Sequence, residues 1–453
     1  MSNITHDKEL IEEFLQDPEH SSISHTDLAK ALKHLANNAP EIFEEYLEKI
    51  PNEYLGDIAL ELPEKYLKKI ITNLEDNDLV EIVEEMDSDD ATDLLQDIEE
   101  IDEKKAEIIL SSLDEEDQED IKKLRKYDET EAGAHMQTEL FEANIDETIR
   151  SAIQRLKKLK EEDELDNVHQ VFITGTFNKL MFTIPLEELI LFDFEKTFKE
   201  QIKGREEDFK PIFARDTDNI EEVAHLFKEH DLSVIAVVND HNELIGRITS
   251  DDIYDILEES ATEQIYNLAG VDDEAEEDED IVEAGKKRAI WLFINLITAI
   301  LASFVIQMFD ATISSYVALA VLMPIVASMG GNAGTQTLTV TVRRLALGDI
   351  ELSQAKETIK KEVLLSLGNG FIFALVIGVI AFLWFGDSKL GFVIAASMII
   401  NLFFAGFFGA FIPLVLKRLN IDPAVGSTVI LTTVTDVVGF FSFLGLAKIF
   451  LVK

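Results

Sequence analysis

Hydrophobic and polar positions change rhythm twice along this chain. From about residue 24 to 130, Leu and Ile recur at three- and four-residue spacings, the period of amphipathic helices. The phrases IPNEYLGDIALELPEKYLKKIITNL, NDLVEIVEEMDSDDATDLLQDI and IDEKKAEIILSSLDEEDQEDIKKL repeat this pattern, each with an acidic opening that suits a helix N-terminus. A superhelical stack of short helices is their natural packing. From about Glu131 the pattern becomes strand–helix–strand–strand–helix, twice. The second copy predicts strands at 211–217, 233–239 and 244–249, a helix at 219–230 and another from Asp251. The first predicts helix 146–160, strands 168–174 and 179–183, and a helix from Leu186. The helix opened at Asp251 runs to Leu268 and ends at Gly270, a fitting C-cap.

Beyond residue 288 the alternation gives way to five apolar stretches, roughly 289–309, 313–342, 363–386, 390–416 and 423–450. Each is long enough to cross a bilayer, which needs about 20 mostly apolar residues. The second contains Pro324, Gly330, Gly331 and Gly334, which predicts a kink or unwinding. The fold class expected is therefore a multidomain membrane protein. An N-terminal segment (1–23) precedes an all-α superhelical domain (24–130) and two α/β repeats (131–196 and 197–250). A connecting helix with an acidic linker (251–288) leads to a five-helix transmembrane domain (289–453).

Charge supports this division. The whole chain carries −48, yet residues 1–280 hold 27 Lys/Arg against 79 Asp/Glu, and residues 281–453 hold 13 against 9. An acidic polar half thus precedes a slightly basic half bound to lipid. The acidity argues against nucleic acid as a partner and for divalent cations. With no cysteine, disulfides and thiolate metal sites are excluded, in keeping with a reducing compartment. The opening MSNITHDKELIEEF has neither a basic n-region nor an apolar h-region, so no cleaved signal peptide is expected. Lys286, Lys287 and Arg288 precede the first stretch. Arg343, Arg344, Lys356, Lys360 and Lys361 fall between the second and third, and Lys417 and Arg418 after the fourth. The positive-inside rule then puts the N-terminus in the cytoplasm and the C-terminus outside the cytoplasmic membrane.

Asp436 is the one charge in the apolar run from Pro423 to Ala447. A carboxylate at mid-membrane costs at least about 2.5 kcal/mol, so it normally faces a partner, an ion or a water path. Thr428, Thr432 and Thr435 share its side of a helix with Gly439. Asn332, Gln336 and Thr339 make a similar stripe in the second stretch. Such stripes are either glue between helices, with small residues allowing close approach, or the lining of a pore. One Asp per chain is a poor cation filter, whereas two chains about a twofold axis would pair two Asp436 side chains. Paired carboxylates facing a hydrated ion suit Mg²⁺, which keeps several of its waters.

Two resemblances sharpen this reading. The repeats resemble a tandem pair of cystathionine-β-synthase (CBS) domains, a regulatory module that often binds adenine nucleotides. The likeness rests on Leu244-Ile-Gly-Arg-Ile-Thr-Ser-Asp-Asp252, in which Thr249 and Asp252 fit the usual ribose- and phosphate-side positions and imply ATP as a ligand. The corresponding stretch of the first copy, Phe182 to Glu188, lacks the glycine. The order of units, with Gly330-Gly-Asn-Ala-Gly334 and the run from Asp422 through Asp436-Val-Val-Gly439, closely resembles the MgtE family of magnesium channels.

That resemblance implies a homodimer with the pore on its axis, lined by the second and fifth spans, in which Asp436 and the backbone around Thr432 bind hydrated Mg²⁺. Asn332, Gln336, Thr428 and Thr435 are candidates for the lining. It also implies cytoplasmic Mg²⁺ sites at Asp89, Asp93, Asp252, Asp255 and Glu263, with Gln264 where the family often has a second acid. Mg²⁺ on these carboxylates would hold the channel closed, and its loss would open it. The competing readings are a gradient-coupled carrier for Co²⁺ or Mn²⁺ and a CBS-regulated enzyme with a membrane anchor. No enzyme motif supports the second, and none of the nine His lies beyond residue 281 to serve a softer metal.

Overall fold

The computed structural model describes residues 2–161, 165, 167–271, 281–350, 352–419 and 421–452. The acidic linker read at 272–280 lies outside the described residues. The chain forms two compact units, Met1–Glu258 and Glu259–Lys453, and the division falls within one helix.

The first unit begins with short helices: α1 (Ser2–Gln16), α2 (His25–Asn38), α3 (Pro40–Leu47), α4 (Asn52–Leu60), α5 (Glu64–Asn73), α6 (Asp76–Glu84), α7 (Ser88–Ile101), α8 (Glu103–Ser112) and α9 (Glu115–Leu124). Polar side chains cap α2 and α8. The Ser24 hydroxyl accepts from the amide of Asp27, and the Asp102 carboxylate from those of Lys104 and Lys105, satisfying donors a helix start leaves free. One apolar core runs from Ile11 and Phe14 of α1 through Leu35, Ile58, Tyr66 and Leu95 to Ile121. The first helix therefore belongs to this domain's core.

Two three-stranded sheets follow. In the first, β1 (Glu142–Asn144) pairs parallel with β2 (Gln170–Thr174), which pairs antiparallel with β3 (Leu180–Pro185). The helix α10 (Ile149–Glu161) makes the crossover, and α11 (Leu186–Leu189) and α12 (Phe198–Ile202) follow. The second copy repeats the arrangement with β4 (Phe213–Arg215), α13 (Ile220–His230), β5 (Val234–Val238) and β6 (Leu244–Thr249), Ala236 standing opposite Arg247. Phe198, Ile202 and Phe209 pack into the first copy's core, and Leu124, Ala132 and Met136 into the second's. The chain segments thus exchange across the point at 196/197 where the repeats divide by pattern. Phe172, Val234, Ala236 and Leu244 join the two sheets.

The helix α14 (Ser250–Ala269) bridges the units and ends on Gly270 at φ +68°, a left-handed cap. The second unit continues with α15 (Ile281–Gln307), the short α16 (Asp310–Ser315), α17 (Ala318–Ala346), α18 (Ala355–Phe385), α19 (Ser388–Arg418) and α20 (Ser427–Phe450). Among the described residues, five helices are long and apolar enough to span a membrane.

Two expectations need correction here. The second span does not unwind: α17 is one continuous helix with Pro324 inside it. Its glycines serve close helix contact instead, as described below. The third span is longer than its apolar run. Lys356, Lys360 and Lys361 lie in the opening turns of α18, because helix-forming charged residues extend a helix past the apolar run. Close packing of α18 on α19 needs small residues: a side chain at Gly391 would put its Cβ 2.7 Å from the Gly378 carbonyl oxygen.

Candidate functional site: a carboxylate cluster and a polar seam in the membrane

In the first unit, carboxylates from three helices meet. Asp89 is the second residue of α7 and is 5% exposed. Burial drives its carboxyl well above the usual range, helped by the charges of Asp252 and Asp90. Asp90 is pushed up to about 8, first by burial, then by Asp252 and by Asp57 of α4. Asp252 in the first turn of α14 is raised by burial even though Thr249 donates to it through both its amide (3.1 Å) and its hydroxyl (2.7 Å). At the rim, solvent reaches Asp93 and Asp255. Loss of hydration still lifts Asp93 to about 6 against the pull of His135, and raises Asp255 ahead of repulsion from Glu61 and Asp252. Ordinary carboxylates buried this way are paired with a cation. Here most of the charged neighbours are other carboxylates, with His135 acting on Asp93 and Asp252.

The start of α7 is anchored to the segment before β1. Ser88 donates its hydroxyl to Glu139 (2.9 Å) and accepts the amide of Thr138 (2.9 Å). That segment is bonded in turn to β6, where Gln137 and Arg247 exchange main-chain bonds of 2.8 and 2.9 Å. Asp89 and Asp252 are thus brought together by a continuous chain of contacts. Among the described residues, no group of three or more His, Asp or Glu side chains is arranged to hold a metal ion directly. Asp57, Asp90 and Glu61 were not singled out from sequence. Their one visible mark was the density of acids, which most of this half shares.

Of the five predicted sensor residues, Asp89, Asp93, Asp252 and Asp255 gather here. Glu263 lies in the second unit, where the Asn267 amide nitrogen donates to Glu263 and to Asp422, each at 3.2 Å. Asn267 thereby holds two acids near one another, and neither Asn267 nor Asp422 had been assigned a role. The predicted nucleotide positions, Thr249 and Asp252, are bonded to each other.

The membrane polar residues divide by face. Asp436 is half-buried on α20 and makes no hydrogen bond or ion pair among the described residues. Thr432, one turn earlier, shares its edge and returns its hydroxyl to the carbonyls of Thr428 (2.9 Å) and Val429 (3.1 Å). Thr435 departs from the expected lining: it is fully buried and donates to the Thr432 carbonyl at 3.1 Å. Adjacent helical residues are about 100° apart, so Thr435 points into the bundle while Asp436 points to its edge. Thr428 also differs, since its hydroxyl donates to the Leu268 carbonyl at the end of α14 over 2.7 Å. On α17, Ser328, Asn332, Gln336 and Thr339 form an exposed polar stripe, while Gly330, Gly334, Thr337 and Thr341 face the bundle.

Between α17 and α20 stands Asn401 of α19, which is completely buried. Its side-chain nitrogen donates to the Val326 carbonyl at 2.8 Å. A Cβ at Gly330 would overlap that nitrogen, and one at Gly439 would lie 2.8 Å from it. Both glycines are required by this close approach.

With these features in view, likeness to known proteins becomes informative. The MgtE model, described as a divalent cation transporter, matches residues 323–446. The MgtE intracellular N domain matches 23–130, and a CBS domain matches 207–259. The magnesium transporter MgtE of Enterococcus faecalis is 32% identical over 332 residues, covering 73% of this chain and 72% of that protein. The one from Thermus thermophilus is 30% identical over 342 residues, covering 75% and 74%. A crystal structure of the cytosolic domain of the Mg²⁺ channel MgtE in complex with ATP is similar to 54% of this chain and 98% of its own, with 22% identity and a TM-score of 0.45. The chain belongs to the magnesium transporter MgtE family.

Proposed function

We propose that this protein is a homodimeric channel for hydrated Mg²⁺ in the cytoplasmic membrane, closed from the cytoplasmic side by Mg²⁺ on the acidic cluster. The observation that carries it is Asp436, the one charge between Pro423 and Ala447, a carboxylate that makes no hydrogen bond or ion pair among the described residues. Such a group costs at least about 2.5 kcal/mol at mid-membrane and, where it has no protein partner, is retained where it meets ions or water. The exposed stripe of Ser328, Asn332, Gln336 and Thr339 supports a dimer, since a polar helix face left against lipid is unfavourable and a second copy would cover it. In this reading Asp436 attracts the ion, the α20 main chain near Thr432 contacts its water shell, and Asn332 and Gln336 continue the wet path.

The cluster of Asp89, Asp90, Asp93, Asp252 and Asp255 fits a hydrated divalent cation by its donor chemistry, with Asp89 buried beside Asp90 and Asp252 and with Asp93 and Asp255 open to solvent. Carboxylates this crowded repel by up to about 4 kcal/mol per close pair near a protein surface. A bound Mg²⁺ would cancel that repulsion. Asp252 and Asp255 sit at the start of α14, and Glu263 near its end, so separation of the acids at one end acts on the helix that continues into the membrane unit. Glu263 and Asp422, held by Asn267, extend the same sensing chemistry; Gln264 supplies no charge there. ATP enters as a modulator: a ribose or phosphate contact at Thr249 and Asp252 would compete with their mutual bonds and alter the cluster. The N-terminal unit is cytoplasmic and the C-terminus outside.

The test is Mg²⁺ uptake into liposomes carrying the full chain. Asp436→Ala should abolish uptake while leaving the folded dimer intact, and native uptake by that variant would remove Asp436 from the mechanism.

A further inference from the structure

The contacts of the Asn401 side chain join both polar helices of the membrane unit near Asp436. It is fully buried in α19, bonded through its nitrogen to Val326 of α17, and set against Gly330 of α17 and Gly439 of α20. Gly439 follows Asp436 by three residues, and Gly330 precedes Asn332 by two. The Asn401 carbonyl oxygen is buried without a hydrogen-bond partner among the described residues. Leaving a buried acceptor unmet is unfavourable, so a leucine of similar volume would be the cheaper filler if packing were its whole task.

We propose that Asn401 is a positioning residue for permeation, a polar wedge that fixes the separation and register of α17 and α20 and so the place of Asp436 relative to the α17 stripe. The two glycines are the complementary half of this device. Either methyl added there collides with a side chain that can swing away only by releasing the Val326 carbonyl. The inference rests on the reading that α17 and α20 flank the ion path.

The experiment uses the full-length protein in liposomes and records initial rates for Mg²⁺ and for Co²⁺ over a range of concentrations. Asn401→Ala opens a gap between the helices, and Gly439→Ala adds a methyl against the wedge. Each single change should lower Mg²⁺ flux about tenfold, since displacements near 1 Å cost that much or more at a preorganised site. Asn401→Ala should also change the ratio of Mg²⁺ to Co²⁺ rates, which a purely stabilising role would not do. Joining the two changes should restore flux above either single variant, because the new methyl fills the space the amide left. Native rates and ion ratio in Asn401→Ala would overturn the proposal, as would a double variant no better than the product of the singles. Should Asn401→Ala fail to reach the membrane, Gly439→Ala with Asn401→Ser decides by the same rescue. Asp436→Asn run in parallel separates the two readings: retained flux there defeats the pore assignment, whereas flux lost there but native in Asn401→Ala defeats the wedge alone.

Discussion

The hydroxyl of Thr428 donates to the main-chain carbonyl of Leu268 over 2.7 Å, tying the first turn of α20 to the last turn of α14. The carbonyls of a helix's final turn lack partners within it, so this bond satisfies an acceptor that would otherwise need water. The helix whose opening turn holds Asp252 is therefore fastened at its other end to the helix that carries Asp436.

Replacing Thr428 by valine keeps the shape and removes the donor. One such bond contributes about 1 kcal/mol. If it belongs to the closed state, Thr428→Val should raise the cytoplasmic Mg²⁺ that half-inhibits flux about fivefold. Dose–response curves of the variant and the native protein check this; superimposed curves would show that the bond does not bear on closure.

The cluster predicts an unusual pH dependence. Folded, Asp90 holds its proton to about 8, whereas its ordinary value is 3.8. In that window the folded state binds more protons than the unfolded one, so stability falls as pH rises. The proton-linked contribution is fully present below the ordinary value and gone above the raised one. Hydrogen exchange at the α7 amides, corrected for the intrinsic rate, should report weaker protection at pH 8 than at pH 6 without divalent cations. Added Mg²⁺ should shrink the difference and Asp90→Asn should flatten it. Equal protection at both pH values would contradict the assignment.

The native chain has no cysteine, so a single introduced one reports its own neighbourhood. Asn332→Cys and Thr339→Cys lie on the exposed polar stripe of α17, and Leu375→Cys on α18 lies at a position 72% exposed and apolar. A bifunctional thiol reagent should link the α17 variants into covalent dimers and leave the Leu375 variant a monomer. Linking only at Leu375 would place the interface elsewhere.

Much of the fold was legible in the sequence, and the reasons are local. Strand β6 occupies Leu244–Thr249 as predicted after the turn at 240–243, and α13 and α14 start within a residue or so of their polar openings. The five spans followed from apolar length alone. Faces were harder to read. Thr428, Thr432, Thr435 and Asp436 share a broad helical arc, but which part of it is buried is decided by packing against helices distant in sequence, which bury Thr435 and bring Leu268 to Thr428. Unwinding was expected at Pro324 and the glycines because sequence shows the missing donor and not the packing that keeps α17 helical. In the acidic half, Asp90 resembled many solvated acids until the fold placed Asp57 and Asp252 beside it.

The most direct measurement is Mg²⁺ current through membrane patches whose cytoplasmic face is bathed in stepped Mg²⁺, from none to millimolar, for the native protein and for Asp89→Ala combined with Asp93→Ala. Current that falls as cytoplasmic Mg²⁺ rises, and falls less in the double variant, is the predicted result. Native current indifferent to cytoplasmic Mg²⁺ would contradict closure by the carboxylate cluster.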